Sequence, residues 1–131
     1  MISLYDVFMI PLEKSGIKKA RNTLIPKASG TVLEIGSGTG VNFKHYNFDN
    51  IQKLIMSDKK ISKKLKKIVP NNIELLELDV QNLTFAENTF DYIIHSLVFC
   101  SVKDVSKGLK ELKRVLKPNG WFWYYIDGEV E

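Results

Sequence analysis

Apolar residues along this chain fall into two alternating patterns, short apolar-rich runs and stripes spaced three or four apart. The runs at 31–35, 51–57, 73–78, 90–96 and 121–126 predict strands. The stripes predict helices over 12–26, where Ile17, Ala20, Leu24 and Ile25 form the inward face, over 59–68, and over 103–117; a short helix is expected over 41–46. Pro70 stops the second of these, and Lys117-Pro118-Asn119-Gly120 closes the third. No repeat or low-complexity linker interrupts the order, so residues 1–131 read as one domain, with 1–28 as an N-terminal helical segment packing on it. Alternating helices and apolar strands imply a parallel sheet covered on both faces. Right-handed crossovers make that an α/β, doubly wound sheet, which binds ligands at the carboxyl ends of its strands.

The first strand runs into Glu34-Ile35-Gly36-Ser37-Gly38-Thr39-Gly40. Glycines at every second position free the backbone for conformations closed to other residues and let a ligand approach the main chain. A dinucleotide fingerprint would need its third glycine at position 41, which is Val41. The acidic Glu34 beside the turn suits a ligand carrying an amino group rather than a pyrophosphate.

Composition narrows the class only slightly. No apolar run is long enough to span a membrane, the N-terminus carries no signal-peptide pattern, and the expected location is cytoplasmic. The single cysteine, Cys100, excludes an intramolecular disulfide and a cysteine-based metal cluster. The net charge is +4, with six lysines among the nine positions 59–67 and an apolar stripe of Ile61, Leu65 and Ile68 beneath them. These lysines read either as the solvated face of an amphipathic helix or as a peripheral contact with an anionic membrane. Nucleic acid is not expected, because no stacking aromatics interleave with them.

Three further polar groups stand at predicted strand ends. Asp58 can accept the hydroxyl protons of a ribose, or can cap the lysine-rich helix. His95, followed by Ser96, is the candidate general base; the alternative is a histidine hydrogen-bonded in the cleft wall. Asp79, in Asp79-Val80-Gln81-Asn82, has a turn-forming alternative. Asp91 begins its strand, away from the cleft, and reads as structural; Cys100 reads as a packing residue.

The glycine loop, Tyr5-Asp6, Pro11-Leu12-Glu13, Arg21, Asn42-Phe43, Tyr46, Leu97 to Val102 and Leu112 to Gly120 together resemble class I S-adenosylmethionine-dependent methyltransferases. The branch is that of quinone-biosynthesis, phospholipid N- and thiol methyltransferases. The resemblance implies a Rossmann-like sheet with these five strands in the order 3-2-1-4-5. It also implies S-adenosyl-L-methionine as cofactor, S-adenosyl-L-homocysteine as product and a small, apolar methyl acceptor. The cofactor contacts it implies are Tyr5, Glu34, Gly36, Ser37, Gly38, Gly40, Asn42, Asp58, Lys59, Asp79, Val80, His95 and Ser96. Asp79 would accept from the adenine amino group and Tyr5 would cover the methionine end. The family's sheet continues with a helix and two strands that this sequence lacks, so an alternative is a cofactor-binding module inactive by itself. Without those strands, the aromatic segment from Trp121 to Ile126 becomes a sheet edge. An exposed edge is a pairing template, which predicts a homodimer through 121–126 unless the N-terminal segment or a loop covers it.

Overall fold

Val32 and Leu33 have no exposed surface, as a strand covered on both faces requires. They belong to the central strand of a computed structural model that describes residues 7–11, 19, 21–97 and 104–126. Its strands are β1 (Val7–Pro11), β2 (Gly30–Ile35), β3 (Ile51–Asp58), β4 (Glu74–Glu77), β5 (Phe90–Leu97) and β6 (Leu116–Ile126). They form one sheet in the order β1-β6-β5-β2-β3-β4, and every neighbouring pair is parallel. The five strands expected from the sequence therefore lie in the expected order. The chain leaves β2 towards β3 on one side and returns to β5 on the other, so the switch point lies between the carboxyl ends of β2 and β5.

Side chains alternate between two cores, one on each face. Leu33, Ile35, Ile55 and Ile93 pack with Leu112 and Val115 of helix α2 (Val105–Val115). Val32, Leu54, Met56 and Ile94 pack with Ile25, Tyr46 and Leu65, the last from helix α1 (Lys63–Ile68). Tyr92 Oη donates to the Leu24 carbonyl (2.7 Å), pinning the turn at 21–28 across this face. At the amino ends of the strands, Asp91 Oδ2 accepts from the Thr31 amide (2.9 Å) and Oδ1 pairs with Lys117 Nζ (3.1 Å), a role remote from the cleft.

Several element bounds differ from the sequence reading. The lysine-rich helix starts at Lys63 rather than 59, because Ser62 is its N-cap and accepts from the Leu65 amide (3.0 Å). The segment 41–46 holds only a 3-10 turn, Phe43–His45. Of the helix expected over 12–26, residues 19 and 21–24 are helical and Ile25–Lys27 is a 3-10 turn; the remainder lies outside the described residues. β6 begins at Leu116: Phe90 pairs with Leu116 and Tyr92 with Trp121, so 117–120 bulge from the ladder.

The larger correction concerns the edge. β1 pairs in parallel with β6, Val7 opposite Phe122 through Pro11 opposite Ile126. The segment 121–126 is therefore an inner strand, and the pairing expected to make a homodimer is taken by the chain's own N-terminal strand. The short run at 7–11 ends in a proline, a residue that sheets tolerate on their edge strands. No helix among the described residues is long and apolar enough to cross a membrane.

Candidate functional site

The glycine loop begins where β2 ends, and the end of β3 holds it. The Ser57 carbonyl accepts from the amides of both Gly36 and Ser37 (2.9 Å each), and Ser57 Oγ donates to the Glu34 carbonyl (2.7 Å). One residue on, Asp58 Oδ2 accepts from the Gly38 amide (2.9 Å) and Oδ1 from the Lys59 amide (2.8 Å). Ser62 Oγ donates to the Gly38 carbonyl (2.9 Å), so the cap of α1 also fixes the loop. Asp58 is thus not the helix cap of the alternative reading; Ser62 is.

Two glycines show what the loop requires. Gly40 has φ +89°, and a Cβ there would lie 3.0 Å from Leu65 Cδ1, so the absent side chain lets α1 approach. Gly38 has φ +56° and is exposed, with nothing within 4 Å of the Cβ position. The first glycine is required by packing. The second leaves an open approach to the main chain beside the Asp58 carboxylate.

Beneath the loop lies a buried polar cluster. Glu34 has no exposed surface, so its carboxylate does not open directly onto the cleft as the sequence suggested. Tyr46 Oη donates to Glu34 Oε1 (2.5 Å), and Arg21 Nε donates to Asn42 Oδ1 (2.6 Å). Burial raises the Glu34 pKa, and the neighbouring Ser37, Tyr46 and Asn42 side chains with the Arg21 charge only partly offset it. The Ser37 side chain lies against the Glu34 carboxylate, and both residues are buried.

The other predicted residues are dispersed along the strand ends. Asp79 is exposed beyond β4; its Oδ1 accepts from the Gln81 amide (2.9 Å), and its carbonyl from the Asn82 amide (2.9 Å). That is the turn of the alternative reading, and it leaves the residue at the rim. Val80 is buried in the core against α2. His95 lies on β5 opposite Ile35, at the switch point, and is 2% exposed. Burial alone pushes its pKa down to about 3, which works against the general-base role expected of it. Ser96 follows it on β5. Tyr5 and Cys100 lie outside the described residues.

Sequence reasoning missed Ser62 and Ser57 as supports of the loop and gave no role to Tyr46. Ser62 carried a usable signal, a serine just before an apolar-periodic stretch. The partners of Tyr46 and Ser57 depend on strand pairing and have no local signature.

A glycine loop at the switch point, held by the acidic end of the neighbouring strand, marks a ligand cleft at the carboxyl ends of an open α/β sheet. The chain matches the family model of the methyltransferase domain over residues 33–124, and it belongs to the class I S-adenosylmethionine-dependent methyltransferases. It is 31% identical over 111 residues to the thiol S-methyltransferase TMT1B of Rattus norvegicus, covering 73% of this chain and 43% of that protein. It is 32% identical over 110 residues to the ubiquinone/menaquinone biosynthesis C-methyltransferase UbiE of Rickettsia prowazekii, covering 75% and 44%. The solved structure of YcgJ from Bacillus subtilis is similar with a TM-score of 0.67 at 24% identity, covering 84% of this chain and 49% of that one. The methyltransferase CalH, crystallised with SAH, has a TM-score of 0.62 at 20% identity, covering 83% and 34%. At those identities the structural likenesses establish the fold. This chain spans less than half the length of each of these relatives.

Proposed function

We propose that this domain binds S-adenosylmethionine and passes its methyl group to a small, apolar acceptor, a lipid amine, a quinone precursor or a thiol. The observation that carries the reading is the Gly38–Asp58 pair, an open main-chain approach beside a carboxylate at the switch point. Each Asp58 oxygen already accepts one amide, and a carboxylate offers about four acceptor sites, so capacity remains for two ribose hydroxyls. Asp79 and the Val80 backbone would hold the adenine from the rim, with Lys59, Ser96 and Tyr5 bordering the same ligand. Ser37 lies buried in the loop beside Glu34. Glu34, braced by Tyr46 and neighboured by Asn42, sets the loop from below.

The sulfonium of the cofactor supplies a methyl group already activated for direct transfer. The work left to the protein is to bind, to orient and to exclude water, and orientation can account for roughly 7–11 kcal/mol of a barrier. His95 fits this as a neutral wall residue, since its burial opposes proton uptake.

The test is transfer of a labelled methyl group from S-adenosylmethionine to a panel of apolar thiols, amines and phenols. Labelled product from one acceptor class would support the reading and name the acceptor. Cofactor binding with no transfer to any class would instead favour a binding module that is inactive by itself.

A further inference from the structure

Beyond Lys59 and the loop-fixing cap Ser62, the lysine-rich segment has no assigned role, and it borders a groove on the far side of the glycine loop from Asp58. A groove of about 440 Å³ runs between α1, the 41–45 segment and the turn at 21–22. Val41, Phe43 and Ile68 supply its apolar lining; Arg21, Lys44 and Lys64 supply positive charge, with His45 beside them. None of its ten lining residues is acidic. Lys63, Lys66 and Lys67 extend the cationic rim along the exposed side of α1.

Exposed apolar side chains on a soluble surface are usually scattered singly. Among the described residues four large ones are exposed: Val41 (49%), Phe48 (43%), Ile68 (42%) and Trp121. Three of these four gather here. Val41 and Ile68 line the groove, and Phe48 packs on its Phe43, ring centroids 5.3 Å apart. Asp49, next to Phe48, is the acidic residue adjoining the patch. The stripe of Ile61, Leu65 and Ile68 is thus split by burial: Ile61 and Leu65 face the core, whereas Ile68 faces out among lysines.

An apolar floor that no described segment covers, ringed by flexible cations, complements a surface that is anionic outside and apolar just beneath. Phospholipid headgroups over acyl chains have that profile. A nucleic acid would favour aromatic side chains interleaved with the cations for stacking, and the lysine-bearing helix Lys63–Ile68 carries none. We propose that this face docks on anionic phospholipid bilayers. Val41, Phe48 and Ile68 enter the headgroup boundary, and Arg21, Lys44 and Lys64 meet lipid phosphates. This docking is independent of methyl transfer.

The experiment is co-sedimentation of the whole chain with phosphatidylcholine vesicles, with and without phosphatidylglycerol, at low and high salt. Wild type is expected to bind the anionic vesicles about tenfold or more tightly than the neutral ones, with salt weakening that preference. Val41→Ser with Ile68→Ser, which leaves the charge unchanged, should weaken binding at every salt concentration. Lys44→Gln with Lys64→Gln should remove the preference for phosphatidylglycerol. Lys110→Gln with Lys113→Gln, on exposed positions of α2, should leave binding as in wild type. Circular dichroism checks that each variant folds. Equal binding to both vesicle types, no binding to either, or equal losses from the α1-side and α2-side lysine pairs would overturn the proposal. Full binding by the serine variant would also overturn it, because adsorption would then be diffuse charge alone.

Discussion

Gly38 and Gly40 separate two demands that the loop makes of single residues. Gly40→Ala places a Cβ 3.0 Å from Leu65 Cδ1 at a φ of +89° and should destabilise the fold by about 1–3 kcal/mol. Gly38→Ala meets only the φ penalty, about 1 kcal/mol, but intrudes on the open approach and should weaken cofactor binding more than it weakens the fold. Denaturant melts beside ligand titrations would reveal the difference; identical behaviour in both would contradict it. His95 gives a pH signature. Its folded pKa of about 3 lies below the usual 6.5, so the unfolded chain takes up its proton first. The stability it provides is present above about pH 6.5 and is lost as pH falls from there towards 3, by about 2 kcal/mol at pH 5. Glu34 acts in the opposite sense, because its raised pKa favours the fold below about 4.5 and costs stability as pH rises through the folded value. Comparison with His95→Asn isolates the histidine. The stability difference between the two proteins should shift by about 2 kcal/mol, against wild type, from pH 7 to pH 5; a constant difference would show that His95 is not the acid-sensitive group.

Among the elements, β1 decides how the sheet ends. Its parallel ladder with β6 occupies the backbone groups that would otherwise template a second chain. Wild type should therefore sediment as a monomer, and removal of residues 1–11 should expose β6 and promote self-association at micromolar concentration. A monomeric deletion variant would mean that another part of the chain protects β6. The same strand shows where sequence reading stopped. Central strands such as Val32 to Ile35 were legible because burial on both faces demands runs rich in apolar residues. α2 was legible because Val105, Leu109 and Leu112 recur at helical spacing towards the core. β1 was not, since its five residues and terminal proline gain a meaning only from pairing with a strand far along the chain.

At the scale of the molecule, sheet order fixes the location of the site while local contacts fix its detail. The four candidate strand ends were readable from the alternation of elements, which determines where loops emerge. Glu34 was readable as an unusual acid in a buried strand; its contact with Tyr46, its closure from the cleft and the attachment of Gly38 to Asp58 were not, because each joins segments that the sequence separates. The central claim is that this loop and this carboxylate form the cofactor site. Calorimetric titration with S-adenosylhomocysteine, of wild type beside Asp58→Ala, tests it directly. A charged acceptor contributes about 1.5–3 kcal/mol, so micromolar binding by wild type should weaken at least about tenfold in the variant. Absence of binding by folded wild type, or equal affinity in the two folded proteins, would contradict the account.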